Sequence, residues 1–300
     1  METLALHLGA LGDFVLSWPA LGLLAAGPPA SGLTLLGRPG WGRLLLPPGR
    51  VLDREAARFA GLYAMDPAPA LKSWLGGFDR AVVLAQRPDP RLLANLRAAV
   101  PQVWALPTRP GPGEQRHASQ VPVDALRELG LGGPANPLPV LLEPPKGLGP
   151  PVLAPGSGGR PKRLPPDLAR RLARDLARRW GPPLLLLGPA EEPAYVRALK
   201  EALTGLEASW LGEPPIPGLA AALQAAPAYV GADSGVSHLA AALGAPCLAV
   251  FQASDPAVWA PRGPRARACE LAEVEAALAG PGGLAGLMPL QDCTRAAKSC

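Results

Sequence analysis

The amino-acid sequence predicts an α/β protein of two Rossmann-like domains, each built around a parallel sheet. The chain has 300 residues, of which 48% are hydrophobic, and this is enough to bury two cores of about 150 residues each. Short apolar runs alternate with helical segments, as is typical of βα units in parallel sheets. The 40 prolines and 35 glycines separate these runs rather than forming tracts, which indicates a globular chain with many tight turns.

The first domain is expected over residues 1–146 and opens with the strand-like run TLALHL at 3–8. A glycine-rich turn, GALGD, and a helical run, FVLSWPALGLLAAG, follow it. The later elements are expected to be strands over 33–37, 80–85 and 102–106, a helix near 89–99, a polar loop over 107–120 and a helix near 121–129. The polar loop is long enough to be functional rather than a simple connection.

The second domain is expected over residues 147–300, after a linker at 143–151 (EPPKGLGPP) that its prolines stiffen. Its first helix carries an apolar stripe at four-residue spacing opposite its arginines. Its elements are expected to be strands at 151–155, 182–188, 207–211, 227–232 and 246–251, and helices at 165–180, between 188 and 207, at 218–226, after 232 and near 272–280. The last helix either stays in this domain or packs back on the first.

Cysteine usage and hydropathy predict a soluble, reduced, cytoplasmic protein. Four cysteines in 300 residues do not form a disulfide framework. Cys247 lies in an apolar run and is expected in the core, whereas Cys293 and Cys300 are close enough in the tail to pair. No apolar run reaches the roughly 18 to 20 residues that cross a bilayer. Scarce Asn, a thermolabile amide, is typical of a thermophile, and a GC-rich genome would give the same bias.

Positive charge is concentrated at residues 160–180, which hold eight Lys or Arg and two Asp, whereas the whole chain has a net charge of +5. A solvated helix face explains this segment most simply. An anionic membrane surface or an anionic substrate is the alternative. Nucleic acid is not expected as a partner, because no stacking aromatics interleave with these charges.

Three strand-to-helix turns carry polar residues that core packing does not require, at 9–13, 155–163 and 231–238. Ligands of parallel sheets bind at the carboxyl ends of the strands, where these turns lie. In the third turn, Asp233 and Ser234 are natural helix caps, and Gly235 allows close approach of backbone to a ligand. A helix start favours an anion, and His238 lies one turn in. Ordinary capping and a structural histidine remain the alternative here.

The other two turns hold a lysine and a carboxylate. Gly156, Ser157, Gly158 and Gly159 form a possible phosphate nest that Lys162 follows, without the spacing of a Walker loop. Asp13 stands at a helix start after the first strand, and is either a helix cap or a catalytic base. Taken together, a carboxylate on one domain is expected to face a lysine, a histidine and a helix start on the other, which suits transfer of a group away from a diphosphate.

Four stretches of the chain resemble, in order, the motifs of glycosyltransferase family 9, the bacterial ADP-heptose:lipopolysaccharide heptosyltransferases and their relatives. They are LGALGDFVLSWPAL, PGSGGRPKRLP, LLLLGPAEEP and YVGADSGVSHLAAALGAPCLAVFQASDPAVWAP. The block D-S-G-x-x-H-L-A-A-A-L-G-x-P is the most specific of these motifs. RHASQVPVDALRELGL at 116–131 is similar to the family's segment after the acceptor-side loop.

The resemblance implies two Rossmann-like domains facing across a cleft, the GT-B arrangement. It implies an inverting, metal-independent transferase with no cofactor, which uses a nucleotide-diphosphate sugar, preferably an ADP-sugar, and a cell-envelope glycan such as lipopolysaccharide as acceptor. Asp13 is implied as the general base, and peripheral contact with the anionic inner membrane is an option. The implied donor-binding residues are Ser157, Gly158, Lys162, Glu191 (or Glu192), Asp233, Ser234, Gly235 and His238, and the acceptor-side residues are Gly12 and His117.

Departures from the family pattern concern the substrates more than the reaction. FQASDP at 251–256 replaces a Gly-Pro-Thr-Asp-Pro type of ending, and Trp18 and Leu164 stand where other residue types are usual. A sugar-nucleotide epimerase or hydrolase on the same fold is one alternative, for which His7, His117 and Glu114 are the unassigned acid–base candidates. A non-catalytic nucleotide-sugar-binding relative is the other, although Asp13 and Lys162 argue against it.

Overall fold

The computed structural model describes residues 1–26, 32–131, 140–141, 147–189 and 191–289 and divides the chain into two compact units, Met1–Leu142 and Glu143–Cys300. Each unit is built on one parallel sheet, so the predicted class of two parallel-sheet α/β domains is confirmed. Part of the predicted linker, together with Cys293 and Cys300, lies outside the described residues. None of the described helices has the length and apolarity that a bilayer crossing requires.

The first unit has five parallel strands in the order β3-β2-β1-β4-β5. The strands are β1 (Glu2–His7), β2 (Gly32–Gly37), β3 (Val51–Asp53), β4 (Arg80–Leu84) and β5 (Gln102–Leu106). The helices are α1 (Leu11–Leu16), α2 (Trp18–Ala26), α3 (Pro39–Gly42), α4 (Pro69–Leu75), α5 (Pro90–Arg97) and α6 (Gln120–Glu128), with 3₁₀ turns at Pro48–Arg50 and Ala57–Tyr63. The strand order reverses at β1, where ligands of such sheets bind.

The helical run expected over 14–27 is two helices, because Pro19 interrupts it. Proline lacks an N–H and its ring clashes with the carbonyl four residues earlier, so it is tolerated only in the first turn of a helix. α1 therefore ends at Leu16, and Ser17 closes it by donating from its backbone N–H and its Oγ to the Asp13 carbonyl, at 3.1 and 2.7 Å. The break fixes a short helix immediately after β1.

The second unit has six parallel strands in the order β11-β10-β9-β6-β7-β8. The strands are β6 (Val152–Ala154), β7 (Leu184–Leu187), β8 (Ser209–Gly212), β9 (Tyr229–Ala232), β10 (Cys247–Phe251) and β11 (Ala266–Glu270). The helices are α7 (Pro166–Trp180), α8 (Pro193–Ala202), α9 (Ile216–Ala225), α10 (Gly235–Ala242), α11 (Pro256–Trp259) and α12 (Leu271–Ala279), with 3₁₀ turns at Arg160–Lys162 and Gly283–Gly286. Here the strand order reverses between β6 and β9.

The apolar stripe of α7 packs on this sheet as the spacing predicts. Leu168, Leu172 and Leu176 are fully or almost fully buried beside Leu153 and Val230. α12 packs against α7 and β10 of its own unit. Cys247 is a buried thiol in β10, as expected, and burial raises the pKa of that thiol.

Two strands were missed by the sequence analysis. β3 has only three residues, and β11 reads ARACE, in which Arg267 and Glu270 are exposed. Edge position alone does not explain this, since the edge strands β5 and β8 were predicted. β3 is too short to show a pattern, and exposed charged residues interrupt the apolar residues of β11.

Candidate active site

Asp13 lies in the first unit, just beyond the carboxyl end of β1. It is the third residue of α1 rather than its cap, since Ala10 holds the cap position. Oδ2 of Asp13 accepts from the Ala10 N–H at 3.3 Å, and Oδ1 lies 3.6 Å from Nη2 of Arg109. Its side chain is 16% exposed. Asp13 is therefore not the N-cap itself, although its carboxylate caps the Ala10 N–H from the third helical position. It is a mostly enclosed carboxylate at the ligand-binding edge of the sheet.

His7, the last residue of β1, lies next to this carboxylate. Its side chain is buried against the edge of the Phe14 ring, with the ring centroids 5.2 Å apart. Burial, and secondarily the charge of Arg54, lowers the pKa of His7 to about 4, although the Asp13 backbone opposes this shift. The imidazole is therefore neutral at physiological pH.

The two residues implied on the acceptor side, Gly12 and His117, have neighbours from nearby positions in the chain. Gly12 lies half-buried inside α1. Nδ1 of His117 lies 2.9 Å from Oγ of Ser119 and accepts from the Ser119 N–H at 3.2 Å, just before α6. These contacts account for the position of His117, and its role toward an acceptor remains a prediction.

In the second unit, the loops after β6 and β9 meet at the point where the strand order reverses. Oγ of Ser157 donates to the Asp233 carbonyl at 2.8 Å, and Nζ of Lys162 lies 2.7 Å from Oδ2 of Asp233. Ser254 also hydrogen-bonds to Oδ2 through its Oγ. The Asp233 side chain is only 5% exposed. Asp233 therefore links the turn after β9 to the loop after β6 and to the segment after β10. Gly158 is exposed, and a Cβ at this position would meet no described atom within 4 Å.

The start of α10 completes this cluster. Ser234 is the cap, and its Oγ accepts from the Ser237 N–H at 3.4 Å, while Gly235 is the first helical residue. His238 is buried, with Nε2 4.0 Å from Oδ1 of Asp233. It thus lies against a carboxylate rather than inside packed hydrocarbon. The first N–H groups of a helix lack intrahelical acceptors, so this turn is suited to bind an anion.

A buried hydroxyl network that sequence reasoning missed lies beneath this turn. The fully buried Tyr229 places its OH 2.9 Å from Oγ of Ser237, which donates to the Ala232 carbonyl at 2.6 Å. A Cβ on Gly231 would stand 2.3 Å from the Tyr229 OH. Only glycine at 231 therefore leaves room for the phenol to brace the turn that carries Asp233.

The structure distinguishes Glu191 from Glu192. Glu191 turns toward the loop after β6: its Oε2 accepts from the Gly188 N–H at 2.6 Å, and a Cβ on Gly156 would meet its Oε1 at 1.8 Å. Burial raises the pKa of Glu191. Glu192 instead pairs with Arg160 at 2.6 Å and Arg163 at 3.5 Å. Of the two, Glu191 is the carboxylate available at the cluster.

The segment 251–256 supplies further residues that the sequence analysis left without roles. Besides Ser254, Nε2 of Gln252 donates to the Arg163 carbonyl at 2.6 Å. Nζ of Lys162 lies 5.9 Å from the ring centroid of Trp259. The same segment lines a groove of about 630 Å³ with residues 270–272 and Glu275. The segment follows the carboxyl end of β10, where ligands of parallel sheets bind, and this position was the sequence signal that could have identified it.

The arginines of α7 take part in contacts within the unit. Arg170 donates to the carbonyls of Ala202 and Thr204, and Arg171 pairs with Glu275 at 2.8 Å. Arg178 and Arg179 pair with the buried Asp175, at 2.6 and 3.2 Å. Much of the positive charge at residues 160–180 is therefore paired with groups of the same unit.

Residues 150–279 match the sequence profile described as glycosyltransferase family 9 (heptosyltransferase). The matched residues span most of the second unit, which is therefore similar in sequence to glycosyltransferase family 9. The match covers the cluster around Asp233 and Lys162, and it confirms the resemblance found in the motifs. A search of curated proteins finds no match.

Solved structures of this family share the fold over nearly the whole chain. A glycosyltransferase family 9 protein from Veillonella parvula matches with a TM-score of 0.68 and 16% identity, over 92% of this chain and 87% of that one. ADP-heptose lps heptosyltransferase II of E. coli gives 0.68 and 19%, over 90% of each chain. E. coli heptosyltransferase WaaC with ADP gives 0.61 and 18%, over 94% of each. The heptosyltransferase-like GT-B fold is thus confirmed.

Proposed function

We propose that this protein is an inverting glycosyltransferase that moves a sugar, with heptose as the first candidate, from a nucleotide-diphosphate donor to a cell-envelope glycan such as lipopolysaccharide. The observation that carries the proposal is the cluster at the strand reversal of the second unit. There Lys162 and the start of α10 lie on either side of Asp233, which provides the positive charge and free N–H groups that an anionic donor requires. Glu191 lies against Gly156 in the loop after β6, where it can accept from neutral hydroxyls of the donor.

In the proposed donor complex, the diphosphate binds at the N-terminus of α10 and takes the ammonium of Lys162 as a partner. Lysine suits this role because it is a compact point charge on a flexible stem. His238 donates to the same oxygens, and Glu191 accepts from ribose hydroxyls. An ADP-sugar is the first choice, because one structure with the same fold holds ADP.

In the proposed reaction, Asp13 removes the proton from the acceptor hydroxyl. The oxygen attacks the anomeric carbon on the face opposite the diphosphate, and the bond from that carbon to the diphosphate oxygen breaks with its electron pair. The anomeric configuration is therefore inverted. Lys162 and the helix N-terminus stabilise the charge on the leaving diphosphate, so the proposed mechanism requires no metal.

Thermal-shift measurements with ADP, UDP and GDP test the donor site, because a ligand that binds only the folded state raises its stability by RT ln(1 + [L]/Kd). We expect ADP to stabilise the wild type and Lys162→Met to lose most of this effect. Glycan transfer from ADP-heptose then tests the reaction, and Asp13→Asn should abolish transfer while leaving the ADP shift intact. Equal transfer by Asp13→Asn and wild type would refute the assignment of the base.

The same assays separate the alternatives. Consumption or epimerisation of the donor without an acceptor would indicate an epimerase or hydrolase. Stabilisation by ADP without any turnover would indicate a binding protein. Unchanged transfer after dialysis against EDTA is expected for a metal-independent enzyme.

Contact with the anionic cytoplasmic face of the inner membrane remains part of the proposal only as a weak interaction, because the arginines of α7 are held largely within the unit. Sedimentation with anionic vesicles at low salt tests it, and binding should disappear as salt screens the charges. No sedimentation at low salt would remove membrane contact from the proposal.

A further inference from the structure

His7 contains a buried polar atom that packing does not explain. Its Nε2 is buried and has no hydrogen-bond partner among the described residues, and the whole residue is only 2% exposed. Leaving such an atom unsatisfied costs about 1–3 kcal/mol. The imidazole already has a hydrogen bond with the backbone of Asp13, so Nε2 is the atom of His7 whose role is unexplained.

Gly9 brings His7 and Asp13 to the same small space. A Cβ on Gly9 would stand 3.2 Å from Cε1 of His7, 3.0 Å from Oδ2 of Asp13 and 2.8 Å from Asp13 Cβ. The missing side chain of Gly9 is therefore the gap across which the imidazole and the carboxylate approach each other. Asp13 is otherwise held through long contacts, 3.3 Å to the Ala10 N–H and 3.6 Å to Arg109.

We propose that His7 is a positioning residue for Asp13, donating from Nε2–H to the carboxylate across the Gly9 gap when the acceptor binds. A rotation of the Asp13 side chain joins the two groups. This inference rests on the proposed role of Asp13 as the general base. The hydrogen bond selects one rotamer of Asp13 and leaves the other carboxylate oxygen for the acceptor hydroxyl.

Three substitutions separate this role from packing. Glutamine places its amide N–H close to the position of Nε2, asparagine reproduces only the Nδ1 side, and leucine provides neither. We expect His7→Gln to keep kcat within about threefold of wild type, and His7→Asn and His7→Leu to lower it at least tenfold with an unchanged donor KM. The melting temperature of His7→Leu should not fall, because the substitution removes an unsatisfied polar atom.

Glycine substitutions supply a matched pair. Gly9→Ala inserts a methyl group into the gap and should lower kcat as His7→Leu does. Gly37→Ala, at the end of the neighbouring strand β2, meets only ordinary contacts, at 3.6 Å or more, and should leave kcat unchanged. Equal kcat in all His7 variants would overturn the proposal, as would an equal loss in all three accompanied by a lower melting temperature.

A measurement that needs no activity tests the same pair. The chain has three histidines, so ¹⁵N-histidine labelling gives few imidazole signals, and His7→Gln identifies the one from His7. We expect a neutral imidazole protonated at Nε2, whose Nε2 resonance moves in Asp13→Asn but not in Trp18→Phe. An Nδ1–H tautomer, or no response to Asp13→Asn, would overturn the positioning role. Absence of transfer by the wild type would instead refute the proposed function and leave this result standing.

Discussion

Alanine at position 156 would collide with the carboxylate of Glu191. The added Cβ would stand 1.8 Å from Oε1, 2.5 Å from Cδ and 2.8 Å from Cγ of Glu191. Glu191 is a flexible side chain, so it would swing away and lose its 2.6 Å hydrogen bond from the Gly188 N–H. We therefore expect Gly156→Ala to remove Glu191 from the donor site without preventing folding.

The magnitude follows from the hydrogen bonds that Glu191 loses. Hydrogen bonds to a charged group contribute about 1.5–3 kcal/mol each. Loss of the bond from Gly188 should lower the free energy of unfolding by about this amount. Loss of the proposed bond from a ribose hydroxyl should weaken ADP binding by roughly 10- to 150-fold, since 1.4 kcal/mol corresponds to a factor of ten.

Isothermal titration calorimetry with ADP measures this effect, and a glycine outside the donor loops provides the control. Gly212→Ala, at the end of β8, adds its methyl group where no described atom lies within 4 Å, so ADP should bind as to the wild type. In a Glu191→Ala background, Gly156→Ala should cost no more than about 0.5 kcal/mol, because both changes remove one interaction. An equal penalty with and without Glu191 would refute the reasoning.

Three further predictions concern stability. The pKa of His7, which faces Arg54 and Asp13, is about 4 in the folded state, below its ordinary value of 6.5, so the unfolded chain binds the proton first. The free energy of unfolding should therefore fall by about 3 kcal/mol as pH falls from 6.5 to 4. Urea denaturation of His7→Gln should lack this part of the pH dependence. Asp175→Ala should lower the free energy of unfolding by about 2–3 kcal/mol, because fully buried Asp175 accepts from the Leu284 N–H at 3.0 Å and pairs with two arginines. The control Asp167→Ala, in the first turn of α7, should lower it by under about 1 kcal/mol. Equal losses in the two variants would contradict the role of Asp175. Tyr229→Phe should cost about 1 kcal/mol, and an unchanged urea midpoint would show that its hydroxyl does not brace the turn after β9.

The order of strands and helices was predictable because each element shows its own periodicity. The four-residue stripe of α7 and the apolar run of β7 each identify an element without knowledge of the rest of the chain. β3 and β11 were not found, since β3 has only three residues and exposed charged residues interrupt β11. The division at Ser17 depends on Pro19, whose effect on a helix is local, so the sequence contained that signal too.

The candidate site was predictable in part. The turns at the ends of β1, β6 and β9 were found because polar residues follow buried strands there. Ser254, Gln252 and Tyr229 were not found, because their roles depend on partners 8 to 89 positions away along the chain. Their residue types are common in loops and cores, and nothing in their spacing distinguishes them.

By itself, the sequence predicted the α/β class with two parallel-sheet domains and the resemblance to glycosyltransferase family 9, because hydrophobic periodicity and ordered motifs are properties of short segments. Only the tertiary structure decided that Glu191 rather than Glu192 faces the loop after β6, that Lys162 and Ser254 share Asp233, and that His7 lies across the Gly9 gap from Asp13. These facts depend on which strand ends become neighbours and on the direction of each side chain, and both are set by packing of the whole sheet.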